Sequence, residues 1–378
     1  MAAEKSVRVL IDAHLLGLRE TGNETYIANL LQHVGTVPGL QCGAAIVDPG
    51  LDARPFAPVE LLPLPHRGNW SRLLLGLPSL CRRWRADILH VTYVGPFISP
   101  CPLVVTAHDV SFRRYPEFFS PRNRLLFGTL LPLSLRRASA VITLSQHAKQ
   151  EMLELFPYLQ GRVHVTPLAP SPLFRPIRDL EPLQSICSRY GIGSQFILAV
   201  GNLQPRKNLL RLMAAYASLR ASGQAVQLVI VGQAQWQSST VYAAVERFGL
   251  EKDVVFTGYV PDEDLVLLYN AARIFIYPSV YEGFGLPILE AMACGVPSIA
   301  SSSSAMPEVA GDAALLVDPH QEEAMAQAML RLLTDADLAE HLAAKGMAWV
   351  TQFSWRRTAT ETAAIYRAVQ NGQAGARR

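Results

Sequence analysis

Apolar runs of four to six residues recur along the chain, separated by longer stretches in which apolar positions return every three or four residues. The short runs predict strands: VRVLID (7–12), DILHVTY (87–93), LVVTAH (103–108), AVITLS (140–145) and VHVTPL (163–168), then FILAVG (196–201), QLVIVG (227–232), VVFTGY (254–259), RIFIYP (273–278), PSIAS (297–301) and AALLVD (313–318). The stretches between them predict helices, and this alternation is the pattern of parallel sheets covered on both faces by helices. Most strand candidates end in Gly, Ser, His or Asp, which matters because open α/β sheets bind ligands beyond the carboxyl ends of their strands. Between the two sets lies PLAPSPLFRPIRDLEPLQ (167–184), with five prolines and no periodicity, which reads as a linker. The expected organisation is α/β, with two Rossmann-like, doubly wound domains over 1–180 and 181–352 that face each other across a cleft. The last helical stretch, 353–378, either extends the second domain or returns to the first.

Composition narrows the class. With 50% hydrophobic and 17% charged residues the 378-residue chain has ample material for a core and is not a disordered one. No run of about 18 apolar residues proposes a membrane span. Asp12 interrupts the first apolar run, so the N-terminus does not look like a secretory leader and a cytoplasmic protein is expected. The five cysteines are scattered and lack C-x-x-C spacing, which argues against a disulfide framework or a structural zinc. The net charge of +3 is unevenly spread: 19 basic and 13 acidic residues fall up to position 180, against 15 and 18 beyond it. A basic first domain favours an anionic acceptor or a membrane surface. Six arginines flank the apolar stretch of 113–137, and a basic amphipathic surface of that kind could touch the inner membrane face. Packing of Leu125, Leu126, Leu130 and Leu133 onto the domain core explains the same leucines. No nucleic-acid partner is expected.

Two segments carry candidate chemistry. In FILAVGNLQPRKNLLRLMAAY a strand ends at Gly201, a short loop presents Arg206 and Lys207, and a helix begins near Asn208, an expected N-cap. Backbone N–H groups at the start of a helix, beside two cations, favour an anion. Lys207 is one of only five lysines. In YPSVYEGFGLPILEAMACGVPSIAS, Glu282 follows a strand, Gly283 and Gly285 flank Phe284, Leu286 and Pro287 open a helix, and Glu290 follows. The glycines let a backbone approach a ligand closely, and the two carboxylates suit the hydroxyls of a sugar or ribose. Asp262, Glu263 and Asp264 could spell a metal site but read better as the acidic first turn of a helix. His14 and His147 read as satisfied polar residues, and Asp12 as a residue that orients the first loop. Ser301–Ser304 reads as a loop after the PSIAS strand.

Taken in order, these motifs resemble those of the retaining glycosyltransferases of family 4, which have the GT-B fold. GNLQPRKN (201–208) is similar to that family's donor-diphosphate loop and EGFGLPILE (282–290) to its paired-glutamate motif. SIASSSSAMPEVAGDAALLVDP (298–319), GNETYIANLL (22–31), VVTAHDVSF (104–112) and ASAVITLSQHAKQEM (138–152) extend the likeness over most of the chain, least over 36–86. The resemblance implies that Lys207 and Arg206 hold the diphosphate, Glu290 the ribose, Glu282 with the backbone of 283–286 the transferred sugar, and Tyr259 and Val260 the base. It places His108, next to Asp109, across the cleft near the sugar and acceptor, and a loop bracketed by Gly17 and Gly22 near phosphate or acceptor. One departure is Asn202, where many relatives carry an arginine. The implied activity is transfer of a hexose from a nucleotide-diphosphate sugar to a glycan or lipid-linked acceptor, with no divalent metal or other cofactor. GDP-mannose is the preferred donor and a UDP-sugar the alternative. A non-catalytic sugar-nucleotide-binding protein is opposed by the intact Glu282, Glu290, Lys207 and His108. A nicotinamide-dependent dehydrogenase needs G-x-G-x-x-G after a strand, and no strand candidate has it.

Overall fold

The computed structural model describes residues 6–18, 21–64, 68–235 and 238–376. The chain divides into two compact units, Met1–Leu168 with Ser354–Arg378, and Ala169–Phe353.

The first unit is built on a parallel sheet of β1 (Val7–Asp12), β2 (Leu40–Ile46), β3 (Glu60–Pro63), β4 (Ile88–Thr92), β5 (Leu103–Thr106), β6 (Ala140–Thr143) and β7 (Val163–Val165), in the order β3-β2-β1-β4-β5-β6-β7. The order reverses between β1 and β4. The inner strands are buried on both faces, as continuous apolar runs require. Strands β2 and β3 are absent from the sequence expectation. LQCGAAI is built of small residues rather than the β-branched ones that mark strands, and ELLP ends in a proline tolerated only because β3 is an edge. Gly43 of β2 is required where it stands: a Cβ there would lie 2.8 Å from Leu62 and 3.0 Å from Trp84.

The helix Trp355–Ala376 belongs to this unit. The Tyr366 hydroxyl lies 2.6 Å from His90 Nδ1, His90 Nε2 lies 2.7 Å from the Thr106 hydroxyl, and Tyr26 Oη lies 3.0 Å from the same hydroxyl. This buried chain of polar groups fixes the helix against β4 and β5. Burial pushes the His90 imidazole down to about 3, so the ring is neutral.

Of the four leucines expected to pack on the core, Leu130 is half-buried, and Leu125, Leu126 and Leu133 do not serve the core. In the helix Pro121–Arg137, Leu131 and Leu135 are buried, whereas Leu125, Leu126 and Leu133 are 70%, 36% and 40% exposed and Arg122, Arg124, Arg136 and Arg137 are exposed beside them.

The second unit carries β8 (Phe196–Val200), β9 (Gln227–Val231), β10 (Val254–Gly258), β11 (Ile274–Tyr277), β12 (Ser298–Ser301) and β13 (Leu315–Val317), in the order β10-β9-β8-β11-β12-β13, all parallel. Here the order reverses between β8 and β11. The division between the units falls at 168/169 and not at 180. The reason is Asn270, whose side chain accepts from Ile177 N at 2.7 Å and donates to Arg175 O at 3.0 Å, tying the proline-rich segment to the second unit. A helix, Leu180–Arg189, starts inside that segment, capped by Asp179, which accepts from Glu181 N. Among the described residues no helix is long and apolar enough to cross a membrane.

Candidate donor site at the second sheet's switch point

Two loops leave the carboxyl ends of β8 and β11, the strands between which the order of the second sheet reverses. Such a switch point is where open α/β sheets accommodate ligands. The β8 loop turns at Gly201 (φ +145°), where a Cβ would lie 2.9 Å from Lys207 Cε, so the lysine side chain runs back across a backbone that has room only for glycine. One 3-10 turn, Pro205–Lys207, then aims both cations at the β11 loop. Lys207, buried, donates to Glu282 Oε1 at 2.7 Å and to the Tyr277 hydroxyl at 2.5 Å. Arg206 Nη1 donates to Glu282 Oε2 at 2.5 Å. The loops are also joined through backbone, Val280 N donating to Arg206 O at 2.9 Å. Asn208 is not the side-chain cap expected of it. It sits at φ +61°, and its amide donates to Pro278 O and Pro319 O, pinning the loops that follow β11 and β13.

Glu282 is the centre of this cluster. Burial alone would raise its carboxyl, but Arg206 and Lys207 hold it down to about 2. Its backbone N donates to Ser304 Oγ at 3.0 Å, and Ser303 Oγ donates to Val280 O at 2.8 Å. The serine run read as a plain loop therefore holds the glutamate loop in place. Gly283 is buried, Gly285 takes φ +107°, and Leu286 opens the helix Leu286–Ala293. Phe284 is buried, its ring 6.1 Å from the Phe353 centroid, so its side chain packs within the unit.

Glu290, on that helix, is buried and accepts from the Tyr269 hydroxyl at 3.0 Å. Burial, reinforced by Asp262, raises its carboxyl to about 8 against the opposing Tyr269 hydrogen bond. Folded Glu290 thus holds a proton that the unfolded chain releases above about 4.5, and stability falls as pH rises through the window from 4.5 to 8. The expected result is that the Tm of Glu290→Gln gains on wild type steadily across that window in thermal unfolding; a constant difference contradicts it. Asp262, Glu263 and Asp264 occupy the first turn of Asp262–Ala271, and Asp264 pairs with Arg189 at 2.8 Å and accepts from Tyr190 Oη. Among the described residues no group of three His, Cys, Asp or Glu is placed to hold a metal. Tyr259 is 42% exposed and Val260 is buried after β10.

In the first unit, His108 follows β5, its ring edge-on to Tyr26 at 5.1 Å and tilted on Tyr93 at 5.5 Å. Burial lowers its imidazole to about 4, so it is neutral, and among the described residues its Nε2 has no hydrogen-bond partner. Asp109 accepts from the N–H and hydroxyl of Ser111 and serves the following helical turn. In the segment expected near phosphate or acceptor, the Gly17 N–H donates to Glu24 at 2.7 Å. Gly22 lies in the first turn of the helix Thr21–Val34, not in a loop, and Arg19 and Glu20 lie outside the described residues.

Residues 21–169 match the family description Glycosyltransferase Family 4 and residues 191–349 match Glycosyl transferases group 1. The chain is 39% identical to the O-antigen chain mannosyltransferase B of Escherichia coli over 288 residues, 74% of this chain and 75% of that protein. It belongs to glycosyltransferase family 4. Among solved structures it superposes on sucrose-phosphate synthase from Thermosynechococcus elongatus with a TM-score of 0.76 at 22% identity, covering 97% of this chain and 100% of that one. Anabaena HepE, solved with UDP and glucose, superposes with a TM-score of 0.75 at 20% identity over 96% and 100% of the two chains. The fold is GT-B and the chain is a hexosyltransferase.

For this family 4 glycosyltransferase the sequence singles out Arg206, Lys207, Glu282 and Glu290 but gives the two cations to the diphosphate and Glu282, separately, to the sugar. The structure joins them into one ion cluster. Sequence reasoning passed over Tyr277 and took Asn208 for a cap and Ser303 and Ser304 for a plain loop, yet all four position that cluster. Only the serine run carried a visible signal, because a tyrosine inside a buried strand and an asparagine at a helix start look like ordinary core and cap residues.

Proposed function

We propose that this enzyme transfers mannose from GDP-mannose to a glycan or lipid-linked acceptor with retention of configuration and without a divalent metal. The observation that carries the reading is the Lys207–Glu282–Arg206 cluster at the switch point of the second sheet. Two fixed cations share one carboxylate, so the cluster keeps a net positive charge, and Arg206 is 26% exposed to an incoming anion. A sugar-phosphate bond that breaks leaves charge on a nucleoside diphosphate, and preorganised cations stabilise that charge in a site shielded from water. Glu282, once the diphosphate takes the cations, is the group beside them that can accept from sugar hydroxyls. Glu290, protonated at neutral pH, meets the ribose, and Tyr259 with Val260 the base. Retention proceeds through an oxocarbenium-like state on the face of the leaving group. On the acceptor side, neutral His108 meets a substrate hydroxyl.

Mannose is supported by the similarity to an O-antigen chain mannosyltransferase. The UDP reading has the HepE complex in its favour, a likeness of fold alone. Thermal-shift titration with GDP, UDP and their sugars tests the donor, since a ligand that binds only the folded state raises its apparent stability. Stabilisation by GDP and GDP-mannose is expected, with release of GDP unchanged by EDTA. Stabilisation by UDP alone, or loss of turnover with EDTA, overturns the respective half of the proposal.

The exposed Leu125, Leu126 and Leu133 with their flanking arginines suit the surface of an anionic bilayer, where a lipid-linked acceptor resides. Co-sedimentation with phosphatidylglycerol vesicles, lost on Leu125→Asp/Leu133→Asp, is the expected result; equal sedimentation of both proteins contradicts it.

A further inference from the structure

The carboxyl end of β1 holds a polar cluster to which the family motifs assign nothing. Asp12, whose side chain is wholly buried, accepts from Arg72 Nη1 and lies 3.0 Å from His14 Nδ1. Arg72 comes from a segment 60 residues away and is itself buried, and among the described residues its Nε has no hydrogen-bond partner. His14 is the member that reaches solvent, its side chain 16% exposed.

Burial would raise the Asp12 carboxyl, but Arg72 and His14 hold it down to about 2, so it is ionised. A carboxylate only accepts, so His14 carries a proton on Nδ1, and Nε2 is the ring nitrogen left outside the ion pair. Charge balance does not call for this histidine, because Arg72 already neutralises Asp12. What the histidine gains is an orientation: a ring nitrogen held rigidly by a buried ion pair.

Its place in the sheet gives that nitrogen a purpose. The first sheet reverses order between β1 and β4, so the residues after these strands border its switch point. Tyr93 follows β4 at φ +60° and packs on His108, which follows β5. His14, Tyr93 and His108 thus stand along one carboxyl edge.

We infer that His14 binds the acceptor, its Nε2 accepting a hydrogen bond from a hydroxyl of the acceptor glycan, with Asp12 and Arg72 as the residues that position the ring. The inference rests on the reading of the first unit as the acceptor side. Unlike His108, whose ring is enclosed by Tyr26 and Tyr93, His14 is set by ionic partners, so the two histidines meet different hydroxyls.

The test uses the full chain and α-1,2-mannobiose as the acceptor probe. In long-range 1H–15N NMR the His14 Nε2 resonance is expected to shift on titration with mannobiose. His14→Ala is expected to weaken mannobiose binding about tenfold, the scale of one hydrogen bond, with His14→Gln, which keeps an acceptor oxygen, intermediate. Mannobiose affinity equal in wild type and His14→Ala, or no mannobiose binding by wild type, overturns the inference. GDP calorimetry on the same proteins keeps the donor reading separate: GDP affinity is expected to be unchanged by His14→Ala, and a parallel loss of GDP and mannobiose binding in a variant whose circular dichroism matches wild type overturns an acceptor-specific role. A wild type that binds mannobiose through His14 but not GDP sinks the donor proposal alone.

Discussion

Lys207→Ala is expected to lower kcat/KM by about 100- to 1000-fold, the loss typical of removing one preorganised donor from a developing oxyanion. The lysine is buried, fixed by Glu282 and Tyr277, and backed by Gly201, so neither water nor a neighbouring side chain can replace it without rearrangement. Lys207→Arg is expected to fare little better. A guanidinium is wider than an ammonium, and the space beside Gly201 is already in contact with the lysine stem. The fold should persist in Lys207→Ala, because Glu282 keeps Arg206 as a partner and is not left as an unpaired buried charge. Glu282→Gln separates the two roles given to this cluster. It frees both cations from their carboxylate, so GDP is expected to bind at least as tightly as to wild type while transfer is lost. Initial rates, GDP calorimetry and circular dichroism together check this; turnover within about tenfold of wild type in folded Lys207→Ala refutes the assignment, since the loss of such a donor costs far more.

The same cluster shows what a sequence can and cannot disclose. Strands such as FILAVG and QLVIVG are legible because burial on both faces demands uninterrupted apolar runs, and so the doubly wound class follows. LQCGAAI and ELLP escape because small residues and an edge proline satisfy a strand without displaying its usual residue types. The chemistry-bearing residues are legible as types beside strand ends. Their partnerships are not, because Lys207 and Glu282 are 75 residues apart and meet only when β8 and β11 become neighbours. Leu125 and Leu133 mark a further limit. Helical spacing places them on the apolar side of the helix, but only the packed unit reveals that Leu131 and Leu135 face the core instead. Asp12 and His14 are legible only as ordinary strand-end polar groups, since the arginine that locks them arrives from position 72.

Gly285→Ala is expected to destabilise the second unit by about 2–4 kcal/mol, from backbone strain and overpacking together. Two separate causes act there. The residue sits at φ +107°, where a side chain is strained whatever the surrounding space, and a Cβ would collide with Met306 Cε. Met306 is a flexible side chain but is fully buried, so it can retreat only by displacing its neighbours. The two causes separate in a double-mutant cycle. Met306→Ala alone leaves a cavity and is expected to cost about 2–5 kcal/mol. In Gly285→Ala/Met306→Ala the new methyl group occupies part of that cavity, so the double variant should be more stable than the sum of the single losses by about 0.5–3 kcal/mol, the range for residues in contact. The backbone strain remains in both proteins that carry the Gly285→Ala change, and with it a displaced Glu282 loop, since Gly285 is the turn between Glu282 and its helix. Activity should therefore stay low even where stability returns. Urea unfolding of the four proteins with parallel transfer assays decides the matter: strict additivity removes Met306 as the cause, and full activity in the double variant removes the backbone conformation of Gly285 as a requirement for holding Glu282.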